Sequence, residues 1–171
     1  MAQPPTTAGI GLGSMGYGIA QSCLRAGERT YGSDVVAAQV DRFRAEGGAA
    51  GALQDVSGTL NAAVIVVLNA AQTEAVLFGP DGLVPQMREG SVVIACATVP
   101  PDFARAMAAR CAEHRVHYLD APISGGSGKA AAGQLSVLAS GTPEAFAAAR
   151  AVLDATAETV FELGDTAGAG S

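Results

Sequence analysis

The sequence has little charge, few cysteines and histidines, and no long apolar run, and each shortage excludes a class of function. Charged residues make up 15% of the 171 residues, and the formal net charge is −6. Lysine and arginine are scattered along the chain, so no basic face is available for the phosphates of a nucleic acid. We therefore expect no nucleic-acid partner and favour a small-molecule ligand.

Every apolar run is far shorter than the roughly 18 residues that a membrane-spanning helix needs. The N-terminal stretch 1–7 lacks the charged and apolar regions of a signal peptide. We therefore expect a cytoplasmic protein with no membrane partner.

The cysteines and histidines do not form a recognisable pattern. Cys23, Cys96 and Cys111 are an odd number without metal-ligand spacing, and His114 and His117 have no second histidine pair nearby. No disulfide framework or metal site is expected. Because no adjacent histidine or lysine would lower the pKa of Cys96, we expect the thiols to be reduced, mostly buried and unreactive.

What the chain does contain is an alternation of strand and helix patterns, in which 49% of the residues are apolar. Strands are predicted over 6–10, 29–33, 63–68, 91–96, 116–119, 135–139 and 159–163. Helices are predicted over 14–26, 35–46, 72–77, from residue 101 onward, and over 143–156. The segment 47–58 is predicted as a loop with at most a short helix, and 120–129 as a loop. This alternation indicates an α/β fold of the Rossmann type: a doubly wound, mostly parallel sheet with helices on both faces.

A glycine-rich turn lies between the first predicted strand and helix. Gly11, Gly13 and Gly16 form Gly-x-Gly-x-x-Gly, in which the first glycine makes a tight turn, the second lets the backbone approach a pyrophosphate, and the third lets the helix pack on the strand. The backbone amides expected to face the phosphates at the helix N-terminus are those of Leu12, Gly13, Ser14 and Met15.

Asp34 ends the second predicted strand, about 20 residues after the glycine turn. At this position in a dinucleotide site, an acidic residue accepts hydrogen bonds from the adenosine ribose and repels a 2′-phosphate. The cofactor prediction is therefore NAD, with NADP less favoured. The alternative is an N-cap for the helix over 35–46, and an aspartate can serve both purposes.

Two further strand ends are predicted to border the same ligand. Leu68, Asn69 and Ala70 lie at the C-terminal end of the third strand and form a candidate wall of the cofactor site, with an ordinary cap for the helix over 72–77 as the alternative. Thr98 follows the fourth strand, where its hydroxyl could reach the nicotinamide ribose or a substrate oxygen, and capping is again the alternative.

The segment 120–129 follows the fifth strand and is rich in glycine and serine. Ser124, Gly125 and Gly126 offer a hydroxyl and unhindered amides that could hold a carboxylate. A Ser/His/Asp hydrolase is disfavoured, because the Gly-x-Ser-x-Gly motif is absent and neither histidine has a recognisable partner.

Together these motifs resemble, almost end to end, the cofactor-binding domain of the β-hydroxyacid dehydrogenase family, which includes 3-hydroxyisobutyrate and 6-phosphogluconate dehydrogenases. The turn at 11–16 matches the nucleotide turn of that family, Thr98 its Ser-Thr strand end, and 120–126 its substrate loop, which is followed by a matching 133–135. The segments 67–72, 76–79 and 126–130 look closest to the L-threonate dehydrogenase branch.

The resemblance implies oxidation of a small hydroxy acid, of the L-threonate or 3-hydroxyisobutyrate type, by hydride transfer to NAD while a lysine takes the hydroxyl proton. It implies that Ser124, Gly125 and Gly126 hold the substrate carboxylate and that Thr98 lies beside the nicotinamide. One departure is Ala97, which stands where the family has serine.

A second departure concerns the family's catalytic lysine and helical C-terminal domain, which we expect to lie beyond Ser171. The resemblance thus implies an NAD-binding domain over 1–165, the start of a linker over 166–171, and no catalytic residue within the chain. Lys129 is not a substitute by motif, because it lies in the substrate loop. The family's homo-oligomer would be weakened without that helical domain.

Two other functions stay open at this point. One is a non-catalytic dinucleotide-binding or oligomerisation module, which would use the same turn but ignore hydroxy acids. The other is an imine reductase, a relative that usually favours NADP and is therefore disfavoured by Asp34.

Overall fold

Strands and helices alternate along the chain, for which a computed structural model describes residues 4–169. The strands are β1 (Thr6–Ile10), β2 (Arg29–Ser33), β3 (Ala62–Ile65), β4 (Val92–Ala95), β5 (His117–Asp120), β6 (Ile123–Ser124), β7 (Leu135–Ser140) and β8 (Ala157–Gly164). The helices are α1 (Gly16–Arg25), α2 (Ala37–Ala45), α3 (Leu53–Val56), α4 (Ala70–Phe78), α5 (Pro101–Glu113), α6 (Gly126–Ala132) and α7 (Pro143–Thr156), with 3₁₀ turns at Ser57–Thr59 and Val84–Gln86.

The strands form one eight-stranded sheet in the order β2-β1-β3-β4-β5-β7-β6, and β8 also pairs with β7. Strands β1 to β5 are parallel to one another, so their carboxyl ends meet at one edge of the sheet. Strand β7 runs antiparallel to both β5 and β6 and parallel to β8. The prediction of a mostly parallel sheet is confirmed.

Helices cover both faces of the sheet because successive strand residues point to opposite sides. In β3, Ala63 and Ile65 pack in the cluster that contains residues of α4 and α5. Ala62 and Val64 pack in a second cluster with residues of α1, α6 and α7. The near-continuous apolar character of β3 thus reflects a strand that is buried on both faces.

Most predicted elements are present, and their ends shift by a few residues. Strands β1 and β2 and helix α7 have the predicted bounds. Strand β3 ends at Ile65, three residues before the predicted end at Leu68. The cause lies in β1, which ends at Ile10: the N–H of Val66 still donates to the Ile10 carbonyl at 2.8 Å, but Gly11 then turns toward α1 and leaves no strand for the next residues to pair with.

The prediction of a loop over 120–129 is wrong in part. Strand β6 pairs with β7, and α6 begins at Gly126. Neither element has a local signal strong enough to predict it, since β6 has two residues and the sequence of α6 is mostly glycine and alanine.

The segment after β8 returns to the body of the fold. Ala167 is buried in the same cluster as α5, and a Cβ on Gly168 would lie 2.9 Å from the Pro101 carbonyl oxygen. The boundary between 165 and 166 stays a prediction, and residues 1–3 and 170–171 of the predicted domain and linker lie outside the described residues. Between residues 4 and 169, no helix is both long and apolar enough to cross a membrane.

Candidate cofactor and substrate site

The three glycines of the turn meet different surroundings. A Cβ on Gly11 would lie 2.1 Å from the Val66 carbonyl oxygen, and one on Gly16 would lie 1.9 Å from the Gly11 carbonyl oxygen. Gly11 also has a φ of +94°, which residues with a Cβ rarely adopt. At Gly13, by contrast, a Cβ would meet no protein atom within 4 Å. The fold itself requires the first and third glycines, and the second faces open space.

The backbone amide of Leu12 does not face a phosphate site, which corrects one prediction. Its N–H donates to Asp34 Oδ2 at 2.6 Å, and the Leu12 side chain is fully buried. In the described chain, the N–H groups of Gly13, Ser14 and Met15 make no hydrogen bond. These three amides, at the start of α1, are the ones that can receive an anion.

Asp34 lies half-buried beyond the end of β2 and connects that end to the glycine turn. Besides Leu12, its carboxylate accepts from the Val36 N–H through Oδ1 at 2.8 Å. Helix α2 begins at Ala37 and has no side-chain N-cap, so Asp34 supports the entry to the helix without capping it. Each carboxylate oxygen can accept a further hydrogen bond, which keeps the ribose role available.

At the end of β3 the predicted cap is present. Asn69 Oδ1 accepts from the Gln72 N–H at 2.9 Å and caps α4, which begins at Ala70. The Leu68 N–H donates to Gln72 Oε1 at 2.8 Å, and its side chain is 85% exposed. An exposed leucine beside the glycine turn is an apolar surface on which a ring could pack.

Thr98 and the segment 124–126 complete the edge. Thr98 is exposed two residues after the buried Cys96. Since β5 and β6 are both antiparallel to β7, β6 runs in the direction of β5 and ends at Ser124 on the same edge of the sheet. Gly125 and Gly126 follow with φ of +140° and +81° and are exposed. The topology thus brings all the predicted site residues to one edge.

A groove of about 300 Å³ opens beside the turn, and its walls include residues that sequence reasoning missed. It is lined by Gly13, Ser14, Tyr17, Gly18, Gln21, Gln39, Arg42, Ser127 and Ala131. Gln39 Nε2 donates to the Leu12 carbonyl at 2.6 Å and so supports the turn. The Arg42 guanidinium lies 4.2 Å from the centroid of the Tyr17 ring and places a positive charge in the groove. No sequence signal marks Gln39 or Arg42, because α2 is a short polar helix.

Two side chains near the site are held in their neutral form. The pKa of Tyr17 is raised to about 12, mainly by burial and secondly by its hydrogen bond to Glu46. The pKa of Cys96 is also raised to about 12, mainly by burial and secondly by the nearby Asp120 carboxylate. The expectation that Cys96 is an unreactive thiol is therefore supported. Lys129, the only lysine of the chain, is exposed on α6.

Three unpaired amides at a helix N-terminus, a carboxylate at the end of the next strand and an exposed hydroxyl at the end of β4 define a dinucleotide-binding domain. The family model for the NAD-binding domain of 6-phosphogluconate dehydrogenase matches residues 6–164. The chain belongs to this family, and NAD is the cofactor of such domains.

Similar proteins include dehydrogenases of small hydroxy acids. The chain is 45% identical to L-threonate dehydrogenase of Cupriavidus necator over 163 residues, which cover 95% of this chain and 55% of that protein. It is 39% identical to 3-hydroxyisobutyrate dehydrogenase of Pseudomonas aeruginosa over 159 residues, 91% of this chain and 53% of that protein. A crystal structure of 3-hydroxyisobutyrate dehydrogenase from Salmonella typhimurium is 44% identical, with a TM-score of 0.93 and coverage of 98% of this chain and 59% of that one. The chain thus spans little more than half the length of these proteins.

Proposed function

We propose that this chain is the cofactor-binding part of an enzyme that oxidises a small hydroxy acid, of the L-threonate or 3-hydroxyisobutyrate type, by hydride transfer to NAD. The observation that carries the proposal is the environment of Gly13. Protein atoms explain why Gly11 and Gly16 cannot carry a side chain, but none lies near Gly13. A close approach by a ligand's pyrophosphate accounts for the glycine there.

In this proposal the glycine turn binds the pyrophosphate of NAD, and Asp34 binds the adenosine ribose. The N–H groups of Gly13, Ser14 and Met15 donate to the pyrophosphate, where the positive end of the α1 dipole also favours negative charge. Asp34 accepts from the ribose hydroxyls, and its charge repels a 2′-phosphate, which favours NAD over NADP. The bonds from Leu12 and Val36 hold the carboxylate in place for this role.

The other strand ends orient the reacting half of the cofactor and the substrate. Leu68, Asn69 and Ala70 form a wall beside the dinucleotide, and Thr98 lies beside the nicotinamide. The bound NAD supplies the hydride acceptor. Ser124 and the amides of Gly125 and Gly126 hold the substrate carboxylate. What these residues contribute is orientation, because a fixed contact between donor carbon and acceptor ring removes much of the entropic barrier.

We place the group that accepts the hydroxyl proton outside residues 1–171, as the family resemblance implies. The relatives support this, since about half of their length has no counterpart in the chain. The exposed Lys129 is then a surface or substrate-side charge, and the chain alone is expected to bind NAD without turnover. A homo-oligomer and a cytoplasmic location belong to the same proposal.

Isothermal titration calorimetry with NAD and with NADP is the first test. Tighter binding of NAD is expected, whereas binding of neither cofactor or a preference for NADP would contradict the cofactor assignment. An assay with NAD and L-threonate or 3-hydroxyisobutyrate is expected to show no turnover. Robust turnover would show that the base lies within the chain, and its loss in Lys129→Met would identify Lys129.

Hydrogen exchange separates the dehydrogenase from a non-catalytic module. With NAD present, L-threonate or 3-hydroxyisobutyrate is expected to slow amide exchange in the segment 124–126. If NAD binds but neither acid changes exchange there, the segment is structural and the chain is a dinucleotide-binding module.

A further inference from the structure

Helix α6 follows the proposed carboxylate-binding segment directly, and it cannot hold its position alone. It has seven residues, Gly126–Ala132, of which only Ala130 is buried. A helix of this length is not stable by itself in water. Its orientation, and with it that of Gly125 and Gly126, must come from contacts with other elements.

The main contact is made by α1, the helix that starts at the glycine turn. A Cβ on Gly18 would lie 2.5 Å from the Ala131 nitrogen and 2.9 Å from the Ala130 Cβ. The backbones of α1 and α6 therefore approach more closely than any other residue at position 18 would allow. This close approach leaves no space between the two helices at that point.

One turn further along α1, two side chains bind the end of α6. Ser22 is 1% exposed, and its Oγ donates to the Ala130 carbonyl at 2.7 Å and lies 3.3 Å from that of Ala131. Arg25 Nη2 donates to the Ala131 carbonyl at 2.8 Å and to Ser22 Oγ at 3.1 Å. These carbonyls belong to the last turn of α6, where that of Ala130 has only a longer local bond, 3.4 Å from the Gly133 N–H, and no later residue of the helix can satisfy that of Ala131. Ser22 and Arg25 therefore act as an external C-cap.

Gly18, Ser22 and Arg25 are spaced by four and three residues, so they lie on one face of α1. The same helix presents the free amides of the cofactor turn at its N-terminus. We propose that Ser22 is a positioning residue: by holding the end of α6, it fixes the segment Ser124–Gly126 against the helix that binds the cofactor. The inference rests on the proposed function, since it assigns the two ends of this unit to cofactor and substrate.

The test compares Ser22→Ala with Ser57→Ala as the matched control. Ser57 is also 1% exposed, and its hydroxyl donates to a backbone carbonyl, that of Leu53, at 2.7 Å, but it lies in the 3₁₀ turn Ser57–Thr59, outside both α1 and α6. The readout is exchange of the Gln134 amide, which donates to the Lys129 carbonyl at 2.9 Å and reports on the last turn of α6. Without cofactor, Ser22→Ala is expected to speed this exchange about fivefold to tenfold, as loss of one net hydrogen bond implies, and Ser57→Ala to leave it unchanged.

The second measurement adds NAD. In the wild-type chain, NAD at the turn is expected to slow exchange of Gln134, because α1 and α6 move as one unit. Ser22→Ala is expected to bind NAD with unchanged Kd but to lose this response, whereas Ser57→Ala keeps it. A purely structural role for Ser22 would not affect the response to NAD.

Each outcome decides a separate point. If the wild-type chain binds no NAD, the proposed function fails, and the exchange without cofactor still tests the contact. If NAD binds and Ser22→Ala responds like Ser57→Ala, the positioning role is wrong. Should Ser22→Ala fail to fold, Ser22→Cys replaces it, because a thiol fills a similar space but is only a weak hydrogen-bond donor; a wild-type response to NAD in that variant would overturn the proposal.

Discussion

Replacing Gly13 with alanine separates the requirements of the fold from those of the ligand. The φ of Gly13 lies outside the left-handed region, and an added Cβ would meet no protein atom within 4 Å. The free energy of unfolding is therefore expected to be unchanged or to rise by about 0.4–1 kcal/mol, because alanine restricts the unfolded chain. NAD binding is expected to weaken at least about tenfold, or ~1.4 kcal/mol, since the Cβ occupies the space where the pyrophosphate must approach the backbone.

Urea unfolding and calorimetric titration with NAD measure the two effects on the same samples. Gly58→Ala is the matched control, because Gly58 is exposed, its φ is also outside the left-handed region, and a Cβ there would have only an ordinary contact at 3.7 Å. Gly16→Ala provides the contrast: its Cβ would lie 1.9 Å from a carbonyl oxygen, so it is expected to destabilise the fold by about 1–3 kcal/mol or more. A Gly13→Ala protein that binds NAD with the wild-type Kd would show that the pyrophosphate does not approach the backbone at Gly13.

Three other perturbations test further parts of the structure. Asp34→Asn removes the charge and keeps only one acceptor for the two backbone amides, so urea unfolding is expected to show a loss of about 1–2 kcal/mol in unfolding free energy. Calorimetry is expected to show about tenfold weaker NAD binding and a ratio of NAD to NADP affinity shifted toward NADP, and an unchanged ratio would contradict the role assigned to Asp34. Burial raises the pKa of Glu28 above its ordinary 4.5, so its contribution to stability is present below pH 4.5 and is lost as the pH rises through the raised pKa. Urea unfolding should show that Glu28→Gln loses less stability than the wild type over that rise. Parallel plots of unfolding free energy against pH for the two proteins would contradict this effect of Glu28. Burial also raises the pKa of the thiols of Cys23, Cys96 and Cys111, so iodoacetamide at mildly alkaline pH is expected to label them only after unfolding. Rapid labelling of the native chain would be inconsistent with their burial.

The parts of the site that could be predicted depend on short-range signals. The glycine spacing at 11–16 specifies a tight turn followed by a helix, and Asp34 follows at a distance that one strand and one helix impose. The apolar run after Asn61 indicates a buried strand, and Asn69 indicates a helix start. Each of these signals lies within a few residues of the feature that it predicts, so no knowledge of distant contacts is needed.

The parts that could not be predicted depend on neighbours distant in sequence. Strand β3 stops early because β1, more than fifty residues earlier in the chain, ends at Ile10. The glycine spacing predicts that the amide of Leu12 faces a phosphate, but its N–H donates instead to the Asp34 carboxylate, brought within 2.6 Å by the pairing of β1 and β2. The groove residues Gln39 and Arg42 lie near the turn only because α2 packs beside α1.

Helix α6 shows most clearly how features encoded locally differ from features that depend on contacts distant in sequence. Local spacing and hydrophobic periodicity encode the order of strands and helices, the glycine turn, the acidic residue after the second strand and the exposed backbone of Ser124–Gly126. By contrast, the helix after Gly125 and its attachment to α1 depend on contacts that exist only in the folded chain. A helix of seven residues is not stable by itself, and the residues that pack against it and bind its end, Gly18 and Ser22, lie more than one hundred residues earlier in the chain.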